Sequence, residues 1–343
     1  MANDENLIEA AEPNLSLPSE SAVPRSRSKL FAYLQLFRAP NVFTAIADVS
    51  MGYFVTAQSL RGSAEFVLLI TASCLLYTGG MVLNDVFDFE VDREERPQRP
   101  LPSGRISRTW ARGLGFAMLA VGIAVAWAVG VVSTTSATRL WRPGLVSMVL
   151  AGCIVLYDMG AKKTVFGPLV MGSCRFLNIL LGMSLYAAPA PGTWSLLDFD
   201  TSHFMIAGGI GIYIIGVTVF ARSEATVSPR PGLILGVVIV AVGIAMLGAF
   251  PILHPDAFQY RIEPSSYWPL ALLVISIWIF RRCLAAVSNP EPRSVQIAIK
   301  FCLMSLIVLD ATLCLLVCAV PYSLAIVALL VPMLFLGRWI YST

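Results

Sequence analysis

Charged residues are scarce in this sequence, and histidine is almost absent. Asp, Glu, Lys and Arg make up only 13% of the 343 residues, two residues are histidine, and hydrophobic side chains reach 57%. Soluble globular domains carry about 25% charged residues, so this composition excludes that class. Apolar runs recur after residue 40, and a run of about 20 residues lets a helix cross roughly 30 Å of hydrocarbon. We therefore expect a protein of the lipid bilayer.

The sequence also lacks the patterns of a metal centre built from thiols or imidazoles. Its seven cysteines are scattered through apolar runs without a CxxC pair, which argues against a disulfide framework or a zinc site. His203 and His254 stand at the edges of predicted spans, so neither is favoured as a base or a ligand. No glycine-rich nucleotide loop is present. We expect membrane lipids, and no nucleic acid, as partners.

The hydrophobic runs predict an all-α, polytopic membrane protein with nine or ten membrane-spanning helices. The last two runs are separated only by Val320 and Pro321, so they form either two spans or one bent span. Residues 1–28 predict a disordered cytoplasmic tail, and Ser28–Pro40 an amphipathic helix on the membrane surface. Since no loop is long enough to build a core, we expect residues 29–343 to form one domain. The spans are expected at 41–59, 64–84, 109–132, 143–161, 165–188, 203–222, 232–252, 267–287, 296–319 and 322–340.

Lysine and arginine are distributed unequally between the two sides of this predicted bundle. If the N-terminus is cytoplasmic, the opposite side receives only Arg61, Arg139, Arg142 and Arg261. The positive-inside rule therefore predicts this orientation in a plasma membrane. It places the loops 85–108, 160–164, 222–231 and 288–295 together on the cytoplasmic face.

The most informative polar stretch runs from Asn84 to Gly104 and reads NDVFDFEVDREERPQRPLPSG. If the entering helix continues to Asp92, then Asn84, Asp85, Asp88 and Asp92 lie within roughly a 100° arc. Such an oxygen-lined face suits Mg²⁺, which takes few protein carboxylates and leaves its other positions to water and phosphate. A solvated loop with positive-inside arginines is the alternative. A carboxylate face that begins at membrane depth favours a function instead.

This stretch resembles the NDxxDxxxD motif and the RPLxSG loop of the UbiA-type intramembrane prenyltransferases. The loop matches at Arg99, Pro100, Leu101, Pro102, Ser103 and Gly104. Arg38, Pro40 and Asn41 resemble the cluster that opens the family's first helix, and Tyr157 and Lys162 its YxxxxK element. The resemblance implies an all-helical bundle around a central cavity that opens to lipid. It implies transfer of an isoprenyl group from an isoprenoid diphosphate to an unidentified, lipophilic acceptor.

The resemblance also implies roles for individual residues. Asp85 and Asp88, with Asn84 and Asp92, would hold Mg²⁺ against the diphosphate. Lys162, with Arg96 or Arg99, would neutralise the departing charge, and Tyr157 would hydrogen-bond the same group. Arg38 and Asn41 are expected to bind substrate at the start of the first span. Most of the catalysis would then be electrostatic stabilisation of the leaving group.

The family's second Asp-rich motif is altered in this chain. A DxxxD pattern is expected at the cytoplasmic end of the sixth span, where the sequence reads GVTVFARSEATVSPRPG and Glu224 is the only carboxylate. Arg222 is expected either to bind phosphate in place of a second cation or to anchor the span. The change points to a divergent branch, such as the EboC-like proteins. It also keeps open a non-catalytic prenyl-lipid-binding or transport protein, with a generic secondary transporter as a weaker alternative.

Charged residues also occur inside the predicted spans. They are Asp48, Arg175 and Asp310, and two interpretations stay open for Arg175: a buried ion pair with one of the aspartates, or binding of the acceptor. Asn178 lies on the same helical face as Arg175 and shares the second interpretation. Small residues in the same span, Gly172, Ser173 and Gly182, would allow close helix approach.

Overall fold

The structure is a computed structural model that describes residues 29–133, 139–189, 192–224 and 227–340. The tail predicted at residues 1–28 lies outside the described residues. The described chain is almost entirely helical, as predicted. Its elements are α1 Lys29–Leu36, α2 Ala39–Ala57, α3 Ser63–Phe87, α4 Phe89–Glu95, α5 Arg108–Val132, α6 Arg142–Met159, a 3₁₀ turn Ala161–Lys163, α7 Gly167–Met183, β1 Ser195–Leu196, β2 Phe199–Asp200, α8 Thr201–Ala221, α9 Arg230–Leu253, α10 Tyr267–Ser288, α11 Pro292–Val317, α12 Val320–Ala328 and α13 Leu330–Trp339.

Eight helical segments of the described chain are long and apolar enough to cross a membrane, and the last of them combines α12 and α13. The helix α7 is shorter, with 17 residues, and ends before the predicted limit of residue 188. The chain turns between α11 and α12, and Ser323 Oγ on α12 donates to Ala311 O on α11 at 2.7 Å. The final hydrophobic run is therefore a separate segment that packs back on α11 and bends at Leu329.

The helix α2 lies at the centre of the bundle and is buried over most of its length. It packs closely on α7 because glycines face each other at their crossing. A Cβ on Gly182 would overlap Val49 O of α2, and a Cβ on Gly52 would overlap Ile179 O of α7. The role predicted for Gly182 in close helix approach is thereby confirmed, in the manner of small-residue packing in membranes.

The continuous helix considered for the Asp-rich stretch does not form. The helix entering it does not continue to Asp92, because α3 ends at Phe87 and α4 begins at Phe89. Asp88 lies at the break with φ −86° and ψ 2°. The backbone still turns, since Asp88 N donates to Asn84 O at 3.0 Å and Asp92 N to Asp88 O at 2.8 Å. Asp85 and Asp92 still share a partner across the break, because Arg99 Nη1 lies 3.6 Å from Asp85 Oδ1 and 2.6 Å from Asp92 Oδ2.

The loops predicted to share one face do meet at one end of the bundle. Arg222 Nη2 donates to Thr164 O at 3.3 Å, and Ser228 N donates to Pro290 O at 3.1 Å. At the opposite end, β1 and β2 form an antiparallel hairpin that pairs Ser195 with Asp200. Asp200 caps α8 through a capping box with His203. His203 therefore has a structural role, as the partner of Asp200 in this helix cap.

Candidate functional site

Arg38 joins the start of α2 to the Asp-rich end of α3. Its Nη2 lies 3.3 Å from Asn84 Oδ1 and 3.2 Å from Asp85 Oδ1. The residue adopts left-handed backbone angles, φ 45° and ψ 46°, which cost a non-glycine residue roughly 1–3 kcal/mol and concentrate at functional sites. Burial lowers the pKa of Arg38, but the charges of Asp85 and Asp92 raise it above its ordinary value overall. Arg38 is therefore a fixed cation beside the motif.

Two further cations pair with the motif from different parts of the chain. Arg99 Nη1 lies 2.6 Å from Asp92 Oδ2 and 3.6 Å from Asp85 Oδ1. Lys162 Nζ lies 2.8 Å from Asp88 Oδ2, and their side chains are 12% and 23% exposed. The RPLPSG loop and the 3₁₀ turn after α6 therefore bring their basic residues to the three aspartates. Alternating carboxylates and cations can bind both a divalent metal and a phosphate group.

Asp158 is a carboxylate of this site to which sequence reasoning assigned no role. It is buried, at 4% exposed, and its Oδ1 accepts from Asn84 Nδ2 at 2.9 Å. It precedes Lys162 by four residues, and a carboxylate at that spacing on the helix end could have drawn attention to it. The sequence alone could not show that it faces α3, because the two residues are 74 positions apart.

The donor set of Asn84, Asp85, Asp88 and Asp92 fits an open magnesium site. Across the described ranges, no group of three or more Asp, Glu, His or Cys side chains is arranged to hold a metal ion by itself. Mg²⁺ does not need such a cage, because it is usually bound by one or two carboxylates together with substrate phosphates and water. Asp85 and Asp92 are buried at 5% and 4% exposed. The four side chains thus carry hard oxygen atoms of the kind that Mg²⁺ prefers.

A cavity of about 340 Å³ lies within α2, α3, α6, α7, α8 and α11. Arg38 and Asp158, which contact the Asp-rich motif, line the end of the cavity that we call its mouth. A volume of this size is within the range of small-molecule pockets. Polar residues at its mouth are Arg38, Asn41, Tyr157, Asp158 and Glu224. Its walls are largely apolar, and include Ile154, Met171, Val217, Ile299 and Leu303. The mouth suits a charged head group, and the walls suit a hydrocarbon chain.

The far end of the cavity is polar again. Ser73 lines it, and the eleven residues from Ser73 to Asn84 on α3 span about 16 Å. Arg175 and Asn178 also line the cavity. Arg175 Nη1 lies 2.7 Å from Asp48 Oδ2, so the predicted ion pair forms. Because Arg175 lies on the cavity wall as well, the ion pair and the acceptor-binding hypothesis are compatible.

The residues of the altered second motif lie in two different environments. Glu224 lines the cavity mouth, and burial raises its pKa while Arg96, Arg38 and Arg99 lower it, with burial the larger effect. Arg222 is exposed and bonded to Thr164 O. The structure therefore brings Glu224, and the charge of Arg96, to the site, whereas Arg222 lies outside the cavity lining.

Residues 45–296 of the chain match the UbiA prenyltransferase family. The digeranylgeranylglyceryl phosphate synthase of Saccharolobus solfataricus is 32% identical over 154 residues, which cover 45% of this chain and 51% of the relative. The synthase of Methanopyrus kandleri is 30% identical over 227 residues, or 58% of this chain and 78% of the relative. The alignments with the first relatives span only about half of those proteins' length.

Solved structures share the fold at low sequence identity. A UbiA homologue from Archaeoglobus fulgidus, bound to DMAPP and Mg²⁺, has a TM-score of 0.58 and 17% identity, covering 86% of this chain and 99% of that one. The apo form of a UbiA homologue from Aeropyrum pernix has a TM-score of 0.59 and 15% identity, covering 79% and 96% of the two chains. The all-α membrane bundle predicted from the sequence is thereby confirmed.

Proposed function

The chain belongs to the UbiA prenyltransferase family, and we propose that it transfers an isoprenyl group from an isoprenoid diphosphate to a lipophilic acceptor. The observation that carries this proposal is the set of three aspartates paired with Arg38, Arg99 and Lys162, beside a largely apolar cavity that Arg38 itself lines. The mouth has the charges for a diphosphate, and the walls have the surface for its isoprenoid tail. Relatives named digeranylgeranylglyceryl phosphate synthases and a structural neighbour bound to DMAPP and Mg²⁺ support this function class.

The cations of the site bind and stabilise the diphosphate. Lys162 and Arg99 are held only 2.8 and 2.6 Å from Asp88 and Asp92, so their positions are set before the donor binds. Arg38 is fixed in the same way by Asp85. Tyr157 lines the cavity mouth and donates a hydrogen bond to the leaving group. Preorganised donors of this kind stabilise developing charge without reorganising at the moment of reaction.

Asn84, Asp85, Asp88 and Asp92 are the residues that would hold Mg²⁺. Bound there, the ion would supply Lewis-acid neutralisation of the diphosphate charge. The aspartates would then exchange part of their pairing with Arg38, Arg99 and Lys162 for the metal, which frees these cations for phosphate oxygens. Glu224 adds one carboxylate at the cavity mouth in place of the family's second motif.

The reaction breaks the bond between carbon 1 of the isoprenyl group and the diphosphate oxygen. The oxygen keeps the bonding electrons, and a nucleophilic atom of the acceptor forms the new bond to carbon 1 and releases its proton. Apolar walls keep water from the electron-poor carbon. The nucleophilic atom must lie within about 3–3.5 Å of carbon 1, beside the bound diphosphate, so we propose that Arg175 and Asn178 contact another polar part of the acceptor, at the far end of the cavity from the aspartates.

We further propose a plasma-membrane location with a cytoplasmic N-terminus and a cytoplasmic active site. The excess of lysine and arginine at the end of the bundle that carries the motif supports this orientation. We also treat residues 29–343 as one domain, since the cavity is lined by helices from α2 to α11.

The test is turnover by the purified full-length protein in lipid nanodiscs. The protein is incubated with radiolabelled geranylgeranyl diphosphate, Mg²⁺ and a membrane lipid extract. We expect diphosphate release and a labelled lipid product, both lost with a chelator and in Asp85→Asn.

A non-catalytic prenyl-lipid-binding protein is the second candidate, because Glu224 is the only carboxylate in the altered second motif. Its expected result is Mg²⁺-dependent binding of the labelled donor with no diphosphate release over hours. If the protein neither binds the labelled donor nor releases diphosphate, both proposed functions are contradicted.

A further inference from the structure

We propose that Asp158 is a positioning residue that fixes the side-chain amide of Asn84, so that the amide oxygen faces the diphosphate site. This inference rests on the proposed function and extends it to a residue outside the Asp-rich motif. Asp158 is nearly fully buried on α6 and lines the cavity mouth. It touches the first residue of the motif directly.

The two neighbours of the Asn84 amide both select one orientation. Asn84 Nδ2 donates to Asp158 Oδ1 at 2.9 Å, and Asn84 Oδ1 accepts from Arg38 Nη2 at 3.3 Å. An ionised carboxylate can only accept hydrogen bonds, and a guanidinium can only donate them. Reversing the amide would oppose oxygen to oxygen and N–H to N–H, and both hydrogen bonds would be lost.

The orientation matters because the two ends of an amide differ as ligands. The carbonyl oxygen of Asn84 is a hard donor suited to Mg²⁺, whereas the NH₂ group is not. The same guanidinium nitrogen of Arg38 contacts Asn84 Oδ1 and Asp85 Oδ1, so these two oxygens lie side by side. Arg38 is itself a proposed diphosphate partner. When it engages the donor, Asp158 remains to hold the amide.

The chain around Asp158 contacts the motif at a second position as well. Four residues further on, Lys162 pairs with Asp88. The end of α6 therefore orients Asn84, and the 3₁₀ turn that follows it balances the charge of Asp88. Partners of this kind, which orient a metal ligand without touching the metal, typically change metal affinity about 10- to 100-fold when removed.

The experiment measures Mg²⁺-dependent binding of a non-reactive donor analogue, geranylgeranyl thiolodiphosphate, to the full-length protein in nanodiscs. Asp158→Asn can either donate or accept, so it no longer selects one orientation. We expect it to raise the half-saturating Mg²⁺ concentration about 10- to 100-fold. Asn84→Asp should also weaken binding, because two carboxylates then face each other. Glu90→Gln is the matched control, since it removes one charge from an exposed side chain on the same surface.

The double variant Asn84→Asp with Asp158→Asn separates positioning from simple structural support. The new amide at position 158 can donate to the new carboxylate at position 84, so the hydrogen bond returns and an oxygen still faces the site. We expect the Mg²⁺ dependence to recover towards wild type. An unchanged Mg²⁺ dependence in Asp158→Asn, or a double variant as weak as the single ones, overturns the inference alone. Wild-type protein that binds no analogue with Mg²⁺ overturns the proposed function with it.

Discussion

Replacing Lys162 by methionine isolates one cation of the proposed diphosphate site. Methionine keeps most of the apolar stem but removes the charge. In the structure Nζ lies 2.8 Å from Asp88 Oδ2, and the two side chains are 12% and 23% exposed. The neighbouring Lys163 is exposed, so Lys163→Met makes the same change in net charge on the same turn and serves as the control.

The expected magnitudes differ between stability and catalysis. Exposed ion pairs contribute roughly 0–1 kcal/mol to folding, and the loss should stay near this range because Asp88, whose side chain is 23% exposed, can be hydrated once the lysine charge is removed. A hydrogen bond to a charged group is worth about 1.5–3 kcal/mol, and this is the interaction that Lys162 would make with the diphosphate. At 1.4 kcal/mol for each factor of ten, kcat/KM should fall about 10- to 150-fold.

The assay measures the initial rate of diphosphate release in nanodiscs, at saturating Mg²⁺ and varied donor concentration. Thermal unfolding is measured on the same nanodisc samples. We expect Lys162→Met to lose activity with little change in Tm, and Lys163→Met to retain both. An unchanged kcat/KM in Lys162→Met would refute the assignment. Equal losses in the two variants would show that only the surface charge matters.

Further predictions concern the packing and the ion pair inside the bundle. Gly182→Val should lower the free energy of unfolding by at least about 1–3 kcal/mol, because the new side chain meets the α2 backbone. Gly152→Val is the control, since a Cβ at Gly152 meets no atom within 4 Å. Thermal unfolding compares the two variants, and equal Tm values would contradict the close packing. Asp48→Leu should cost about 3–5 kcal/mol because it removes the carboxylate that pairs with Arg175 inside the bundle. Adding Arg175→Met should restore most of this loss in chemical unfolding, and a double variant no more stable than the single one would argue against the pair.

Much of the fold follows from properties of single segments. The expected span at 64–84 corresponds to α3, and that at 109–132 to α5, because length and hydropathy decide whether a helix can cross a bilayer. The points at which helices end or change direction do not follow from length and hydropathy. The break at Asp88 was missed, since nothing in the local sequence opposes a continuous helix there. The shorter α7 was missed for the same reason, because apolar residues continue beyond Met183.

For the candidate site, the sequence by itself predicted the residue types and the chemistry. The spacing of Asp85, Asp88 and Asp92 is local information, and it was enough to predict oxygen ligands for a cation. Tertiary structure decided the partners. Asp48 meets Arg175 across 127 positions, and Asp158 meets Asn84 across 74. Contacts between such distant residues depend on how whole helices pack, which no single segment encodes. Packing also decided that Glu224 lines the cavity and that Arg222 is exposed.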